Sequence, residues 1–243
     1  MRIALHATGD VGRRAGLVLL AERDLAALGL YGHHGAATSD RRTIKISTLE
    51  GFDLLVTDDP EPTPLANIAF EDGLCCVTSS DVAPEIAQRF DGSGLTLLQG
   101  ANLRGLSTTL AAHESARVEM VTSSVAAWTV PGSPLRRGIG VGFPEPVGAR
   151  WGRDALGGVE VPVSGAWAAA SATVSGIVEG NPVELVVGVA DHREHLEALA
   201  LAAGALALST GAYATGVASP ADRALDFLGG ALRAGLGVAA YTV

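Results

Sequence analysis

The stretch that decides the fold is residues 1–32, MRIALHATGDVGRRAGLVLLAERDLAALGLYG. It contains an apolar strand over Arg2 to Leu5, a turn with two glycines, a helix over Val11 to Glu22 and a second strand over Ala26 to Gly32. In a unit of this order, the backbone N–H groups at the start of the helix face the turn and can hold an anion. The stretch therefore predicts the opening of a dinucleotide-binding fold.

The turn, HATGDVGRR, matches the dinucleotide-binding pattern only in part. Gly9 and Gly12 fall where a phosphate approaches the backbone, whereas His6 or Ala7, depending on register, replaces the glycine that starts the GxGxxG pattern. At about 4 Å and an effective dielectric near 20, Asp10 would repel a phosphate charge by roughly 4 kcal/mol, so it has to point away from a bound nucleotide. The alternative is that Asp10 caps the helix and no nucleotide binds. The cofactor-binding residues predicted in the turn are Thr8, Gly9, Asp10, Val11 and Gly12.

The composition excludes several classes of function. The 243 residues are 48% hydrophobic and carry a formal net charge of -9, which favours a folded protein and argues against a nucleic-acid partner. The two cysteines are adjacent, Cys75 and Cys76, so the sequence predicts neither a disulfide framework nor a spaced metal site, and it suits the cytoplasm. The longest apolar run, Ala198 to Leu208, is too short to cross a bilayer.

Strands and helices alternate up to residue 101, which predicts a parallel sheet with helices on both faces. The pattern then changes to a helix over Leu103 to Arg117, a strand, and a glycine- and proline-rich loop over residues 129–158. The predicted fold class is α/β, with an N-terminal Rossmann-type parallel sheet and a smaller mixed α+β domain. The predicted boundaries are 1–102 and 103–218, with the C-terminal helix over 219–235 packing back on the first domain.

In this order of elements the chain resembles the dihydrodipicolinate reductase family. HATGDVGRR stands where that family has its glycine-rich loop, FDLLVTDDP resembles its fourth strand, and CCVTSS resembles the turn near the nicotinamide ribose. QGANLRGLSTTLAAHESARV resembles the hinge asparagine and helix that open the substrate domain, and VELVVGVADHREHLEALALAAGALAL resembles the strand and helix that close it. The resemblance implies a Rossmann domain, a mixed-sheet substrate domain and a nicotinamide cofactor.

The chain departs from that family where its proton-transfer residues lie. The family has a histidine pair and a lysine before a loop that holds the substrate carboxylates, but the matching stretch here, SSVAAWTVPGSPLRRG, has neither residue type. Residues 131–133 keep something like the carboxylate loop, and Arg136 and Arg137 add positive charge. We therefore reject the family's own reaction and name no catalytic acid or base. The predicted substrate-binding residues are Asn102, Trp128, Gly132, Ser133, Arg136 and Arg137.

The cofactor prediction favours NADP over NAD, because the second strand does not end in the acidic residue that binds the ribose hydroxyl of NAD. His33, Arg41 and Arg42 are candidates to contact the 2′-phosphate, although residues of this kind in a loop are often only solvated. Thr78 and Ser79 are candidates to contact the nicotinamide ribose, or they form only a turn at a strand end. His192 and His195 lack a third metal ligand, so no metal is predicted.

The sequence thus predicts a cytoplasmic NAD(P)H-dependent oxidoreductase that acts on a small anionic carbonyl, imine or amine. The alternative is a non-catalytic sensor or interaction protein of the same fold, which binds a nucleotide or metabolite. The absence of the histidines and lysine favours the alternative, whereas Gly9, Gly12 and the PGSP sequence favour the enzyme. By analogy with the family, the apolar strand ASATVSGIVEG also predicts a homo-oligomer.

Overall fold

The computed structural model describes residues 1–32, 39–130, 140–142, 149–151 and 167–242. Several residues predicted from the sequence to bind cofactor or substrate lie outside these ranges: His33, Gly132, Ser133, Arg136 and Arg137. The helices are α1 (Asp10–Ala21), α2 (Thr63–Glu71), α3 (Pro84–Phe90), α4 (Leu103–Ser115), α5 (Arg193–Ser209) and α6 (Ala224–Arg233). The first strands are β1 (Arg2–His6), β2 (Ala27–Tyr31), β3 (Thr43–Ile46), β4 (Leu54–Thr57), β5 (Cys75–Thr78) and β6 (Thr96–Leu98). The later strands are β7 (Glu119–Val130), β8 (Gly140–Gly142), β9 (Ala149–Trp151), β10 (Trp167–Val178), β11 (Asn181–His192), β12 (Gly216–Ala218) and β13 (Val238–Thr242).

Seven parallel strands form the main sheet, in the order β12-β6-β5-β4-β1-β2-β3. The central strands are apolar because both faces of the sheet are covered; Ile3, Ala4 and Leu5 of β1 are at most 2% exposed. Helices α1 and α5 cover one face, and α2 and α3 cover the other. From β1 the chain adds β2 and β3 on one side and then crosses to add β4, β5 and β6 on the other, so the strand order reverses between β1 and β4. Sheets of this type bind ligands at such a point, at the carboxyl ends of the strands.

A four-stranded antiparallel sheet follows, in the order β13-β11-β10-β7. The β10–β11 hairpin turns through Glu179 and Gly180, both with positive φ (50° and 81°), as a two-residue hairpin turn requires. Helices α4, α5 and α6 pack beneath this sheet in a second hydrophobic cluster that includes Leu106, Leu199 and Phe227. The α/β class, with a parallel sheet and a smaller second part, is confirmed.

The structure differs from the sequence prediction in how the chain divides between the two sheets. Strand β12 lies within the predicted second domain but pairs with β6 at the edge of the main sheet. Helix α6 contributes Phe227 to the cluster under the second sheet, although the sequence suggested that it packs on the first domain. The segment 129–158, predicted as a loop, includes the end of β7 and the paired strands β8 and β9.

The turn that leads into the last helix begins at a capping box. The Ser219 backbone N–H donates to the Asp222 carboxylate (2.6 Å), and a 3-10 turn over Pro220–Arg223 precedes α6. Within the part of the chain that the structure describes, no helix combines the length and apolar character needed to span a membrane.

Candidate functional site

The candidate site lies at the carboxyl ends of β1 and β4, where the turn into α1 meets the residues that follow β4. The two strands pair in register, with His6 opposite Thr57, so the next residue, Asp58, is brought beside the turn. Asp58 and Asp59 are half-buried, as is His6. The reversal point of the sheet is therefore lined by two carboxylates and an imidazole.

The Asp58 carboxylate occupies the anion-binding position of the turn. Its Oδ1 atom accepts hydrogen bonds from the Thr8 backbone N–H (2.6 Å) and the Thr8 hydroxyl (3.1 Å). Its Oδ2 atom accepts from the backbone N–H groups of Gly9 (3.1 Å) and Gly12 (2.7 Å). Gly9, the N-cap of α1, has no side chain to cap the helix, so a carboxylate from another strand does so. The turn thus binds an anion, and this anion is the carboxylate of Asp58 from the same chain.

Gly12 makes this close approach possible. A Cβ atom at Gly12 would lie 2.7 Å from the Ala7 Cβ, 2.8 Å from the Ala7 Cα and 2.8 Å from the Asp58 Cγ. At Gly9, by contrast, the nearest atom to an added Cβ would be the Asp58 Oδ2, at 3.7 Å. Of the two glycines in the predicted motif, Gly12 is required by packing, and Gly9 leaves room for a side chain.

Asp10 points away from the phosphate position, as the nucleotide-binding prediction required. It is exposed and forms an ion pair with Arg13 on the surface of α1. The hydrogen bond from Arg13 lowers the pKa of Asp10. No cap bond from the Asp10 side chain is present, so the capping alternative is not what the structure shows. Thr8 and Val11 complete the turn, with Thr8 exposed and Val11 partly buried.

Ala7 stands two residues before Gly9, where the GxGxxG pattern has its first glycine. The ring of the preceding residue, His6, turns toward β4. The His6 Nδ1 atom lies 3.3 Å from the Thr57 hydroxyl and 4.0 Å from the Asp59 Oδ2. The Tyr31 ring, with its centroid 6.3 Å away, lies on the other side. The sequence offers His6 or Ala7 as the residue in place of the first glycine, and the predicted cofactor-binding residues do not include Asp58. The sequence does carry a signal for Asp58, because two acidic residues directly follow the buried strand in FDLLVTDDP.

Thr78 and Ser79, predicted near the nicotinamide, lie beside Asn102, which is predicted to bind substrate, but the Thr78 hydroxyl and the Asn102 amide are both bonded to the backbone. Thr78 is fully buried, and its hydroxyl donates to the Ser80 carbonyl (2.7 Å). The Asn102 amide donates to the Ser79 carbonyl, while its oxygen accepts from the Gly105 N–H (2.9 Å). Asn102 is thus the N-cap of α4 and joins it to the turn after β5, a positioning role.

Arg41 and Arg42 do not come to this end of the sheet. Both arginines precede β3, and because the strands of the sheet are parallel, both arginines lie at the amino ends of the strands. The Leu28 N–H, near the start of β2, donates a hydrogen bond to the Arg42 carbonyl at that end (2.9 Å). The Arg42 guanidinium donates to the carbonyls of Leu20 and Glu22 at the C-terminus of α1. About 18 Å of helix separate that end from the turn, given 1.5 Å per residue, so Arg42 stabilises α1 and does not reach a 2′-phosphate.

The Arg42 contact with Asp40 predicts a pH dependence of stability. Hydrogen bonds from Arg42 lower the pKa of Asp40 from 3.8 to about 2. A carboxyl group whose pKa is lower in the folded state stabilises the fold above its unfolded pKa and ceases to do so as it is protonated. In thermal unfolding, wild type should therefore be more stable than Asp40→Asn above about pH 4. The difference should shrink below pH 4 and disappear as the pH falls through about 2. A difference of unchanged size at pH 2 would contradict the assignment.

Other candidate chemical groups are weaker. Trp128 lies in β7, whereas the predicted substrate-binding residues between positions 132 and 137 are outside the described ranges. His195 lies 3.9 Å from Asp191, and no group of metal-binding side chains occurs among the described residues. Burial raises the pKa of the Cys76 thiol, which makes it a poor nucleophile. We therefore identify no catalytic residue within the described part of the chain.

Comparisons with known proteins agree with this architecture. No family model matches the chain, and no curated protein matches it. It is similar to the solved structure of C. glutamicum DAP dehydrogenase in complex with DAP, at 11% identity and a TM-score of 0.58 over 91% of this chain and 93% of that one. It is also similar to an engineered D-amino acid dehydrogenase, at 13% identity and a TM-score of 0.58 over 94% and 96% of the two chains. The same engineered enzyme bound to NADP+ gives 12% identity and a TM-score of 0.53 over 91% and 93%. At these identities the similarity shows the fold alone, and the chain has the fold that its sequence predicts: a Rossmann-type parallel sheet followed by a smaller second sheet.

Proposed function

We propose that the chain is an NADP(H)-dependent oxidoreductase that acts on a small anionic carbonyl, imine or amine. The observation that carries the proposal is the anion held by three backbone N–H groups at the start of α1, at the reversal point of the main sheet. Carboxylate and phosphate oxygens accept the same hydrogen bonds, so the donor set fits one phosphate of a dinucleotide. For the dinucleotide to bind, Asp58 has to leave the turn.

The similar structures support the cofactor, since one of them is bound to NADP+. The end of β2 favours NADP over NAD, because Tyr31 and Gly32 stand there and provide no carboxylate for a ribose hydroxyl. The turn after β5, held by Thr78 and Asn102, would support the nicotinamide end. When bound, the nicotinamide supplies hydride transfer. The protein then has to orient the ring and polarise the substrate.

A second candidate function is a sensor or interaction protein that performs no redox chemistry. The Asp58 contact favours the interaction protein, because a turn that is already filled by a carboxylate binds nucleotide less readily. The absence of the family's histidines and lysine points the same way. The homo-oligomer prediction stays a proposal. Its strand, residues 170–180, lies mostly in β10, between β7 and β11, so the edge of β10 is already paired.

A titration followed by an activity assay tests these functions. NADPH and NADH are added to the purified chain, and binding is followed by nicotinamide fluorescence. NADPH oxidation is then measured with a panel of keto and imino acids. We expect NADPH to bind more tightly than NADH and to be oxidised with at least one substrate. NADPH binding without turnover would favour the sensor, and the absence of binding to either nucleotide would contradict both nucleotide-dependent functions.

A further inference from the structure

We infer that Asp58 is an internal competitor of the cofactor, a latch whose carboxylate closes the phosphate position of the α1 turn until a dinucleotide displaces it. The inference rests on the proposed function and adds a mode of regulation to the same site. It follows from one juxtaposition: a carboxylate at the end of β4 bonded to the Thr8, Gly9 and Gly12 backbone N–H groups.

The latch and a bound phosphate exclude each other for geometric reasons. Both oxygens of Asp58 are used, one by Thr8 and the other by the two glycines. Each backbone N–H carries a single proton, so a phosphate gains these donors only if the carboxylate gives them up. The distances of 2.6 Å and 2.7 Å to Thr8 and Gly12 are those of charge-assisted hydrogen bonds, which are the stronger kind.

The surrounding charge adds to this competition. Among the described residues, Asp58 forms no ion pair with an arginine, lysine or histidine, so the donors of the turn are its main electrostatic partners. Asp59 follows it directly, and on α5 the pKa of Glu197 is raised mainly by burial, with a smaller contribution from the Asp58 charge. A dinucleotide therefore has to move one carboxylate and approach others. The apparent affinity falls in proportion to the fraction of molecules in which the latch is open.

The latch has a signature that a purely structural aspartate lacks. Without cofactor, Asp58 caps α1 and should stabilise the fold, because a negative charge at a helix N-terminus is favourable. For cofactor binding the same carboxylate should have the opposite effect and lower the affinity for NADPH. Removing the carboxylate is thus expected to make the free protein less stable and its complex with NADPH tighter.

The test compares NADPH dissociation constants of wild type, Asp58→Ala, Asp58→Asn and a matched control, Asp53→Ala. The Asp53 carboxylate also accepts a backbone hydrogen bond, from the Arg2 N–H (2.7 Å), but at the amino end of the sheet. We expect both Asp58 variants to bind NADPH at least about tenfold more tightly than wild type, and Asp53→Ala to bind like wild type. Asp58→Asn keeps the shape of the side chain and serves if Asp58→Ala does not fold.

Thermal unfolding of the same proteins gives the second readout. We expect Asp58→Ala to unfold at a lower temperature than wild type without NADPH and to recover more than wild type with saturating NADPH. Binding by the Asp58 variants alone would also support the latch. Equal NADPH affinity in wild type and both Asp58 variants would overturn the latch and leave the proposed function intact. Folded Asp58 variants and wild type that all fail to bind NADPH would overturn both.

Discussion

Replacing Gly105 by alanine should destabilise the protein by more than about 3 kcal/mol, enough to cost a large part of a typical domain's stability. Gly105 lies in the first turn of α4. A Cβ atom there would come within 2.1 Å of the Gly100 carbonyl oxygen and 3.2 Å of the Pro220 Cγ. The carbonyl belongs to the backbone between β6 and α4, so it can move only if the helix or the sheet shifts. Urea unfolding, or loss of soluble protein on expression, would measure the effect.

The matched control is Gly229→Ala in α6. The nearest atom to its added Cβ is the Nη1 of Arg233, at 3.7 Å, which is an ordinary contact with a flexible side chain. Alanine is the better helix former by about 0.5–1 kcal/mol, so this variant should be slightly more stable than wild type. Opposite signs for the two substitutions would show that close backbone packing, and not helix propensity, selects glycine at position 105. A Gly105→Ala protein as stable as wild type would contradict the geometry.

Replacing Gly12 by alanine should disrupt both the fold near the turn and its capacity to hold an anion. The added Cβ would lie less than 3 Å from the Cα and Cβ of Ala7 and from the Asp58 carboxyl carbon. Moving Asp58 alone leaves the clash with the Ala7 backbone, so the turn itself has to open. We expect a loss of about 1–3 kcal/mol in unfolding free energy, typical of overpacking in a buried position. NADPH binding should fall below detection, because the backbone N–H groups no longer converge.

Gly9→Ala is the control within the same turn. Its Cβ would make only an ordinary contact with Asp58, and the φ of Gly9 is −146°, extended backbone that alanine adopts readily. The Gly9 variant should therefore unfold close to wild type in a denaturant titration. If Gly12→Ala binds NADPH as wild type does while remaining folded, the turn does not hold the cofactor phosphate.

The sequence predicts local elements well and contacts between distant residues poorly. The opening strand, helix and strand are found within about one residue of their bounds, because their apolar periodicity is strong. Strands β12 and β13 are missed. The Asp58 contact joins residues 46 to 50 positions apart, and local propensity carries no information about such a pairing.

The error at Arg41 and Arg42 has a different origin. The sequence groups them with His33 because they are near in the chain, but the polarity of the sheet places both arginines at its amino end. Residues that precede a strand in a parallel sheet lie at its amino end, and those that follow a strand lie at its carboxyl end. Applied to β3, that rule places both arginines away from the site, and applied to β4 it places Asp58 within it.

Helix α5 limits how this protein can be divided or recombined. Its Leu201 and Ala202 are buried in the cluster beneath the parallel sheet, while Leu199 and Ala203 are buried in the cluster beneath the antiparallel sheet. A fragment that ends near residue 102 would leave Leu19 and Leu98 without their cover and should aggregate. In a chimera that takes its second half from another protein of this fold, one face of α5 would have to pack against the parallel sheet of this protein. The other face would have to pack against the antiparallel sheet of the other protein. Recombination that exchanges one half of the chain is therefore expected to disrupt packing at α5, and substitutions on the two faces of this helix should evolve together with the sheets that they contact.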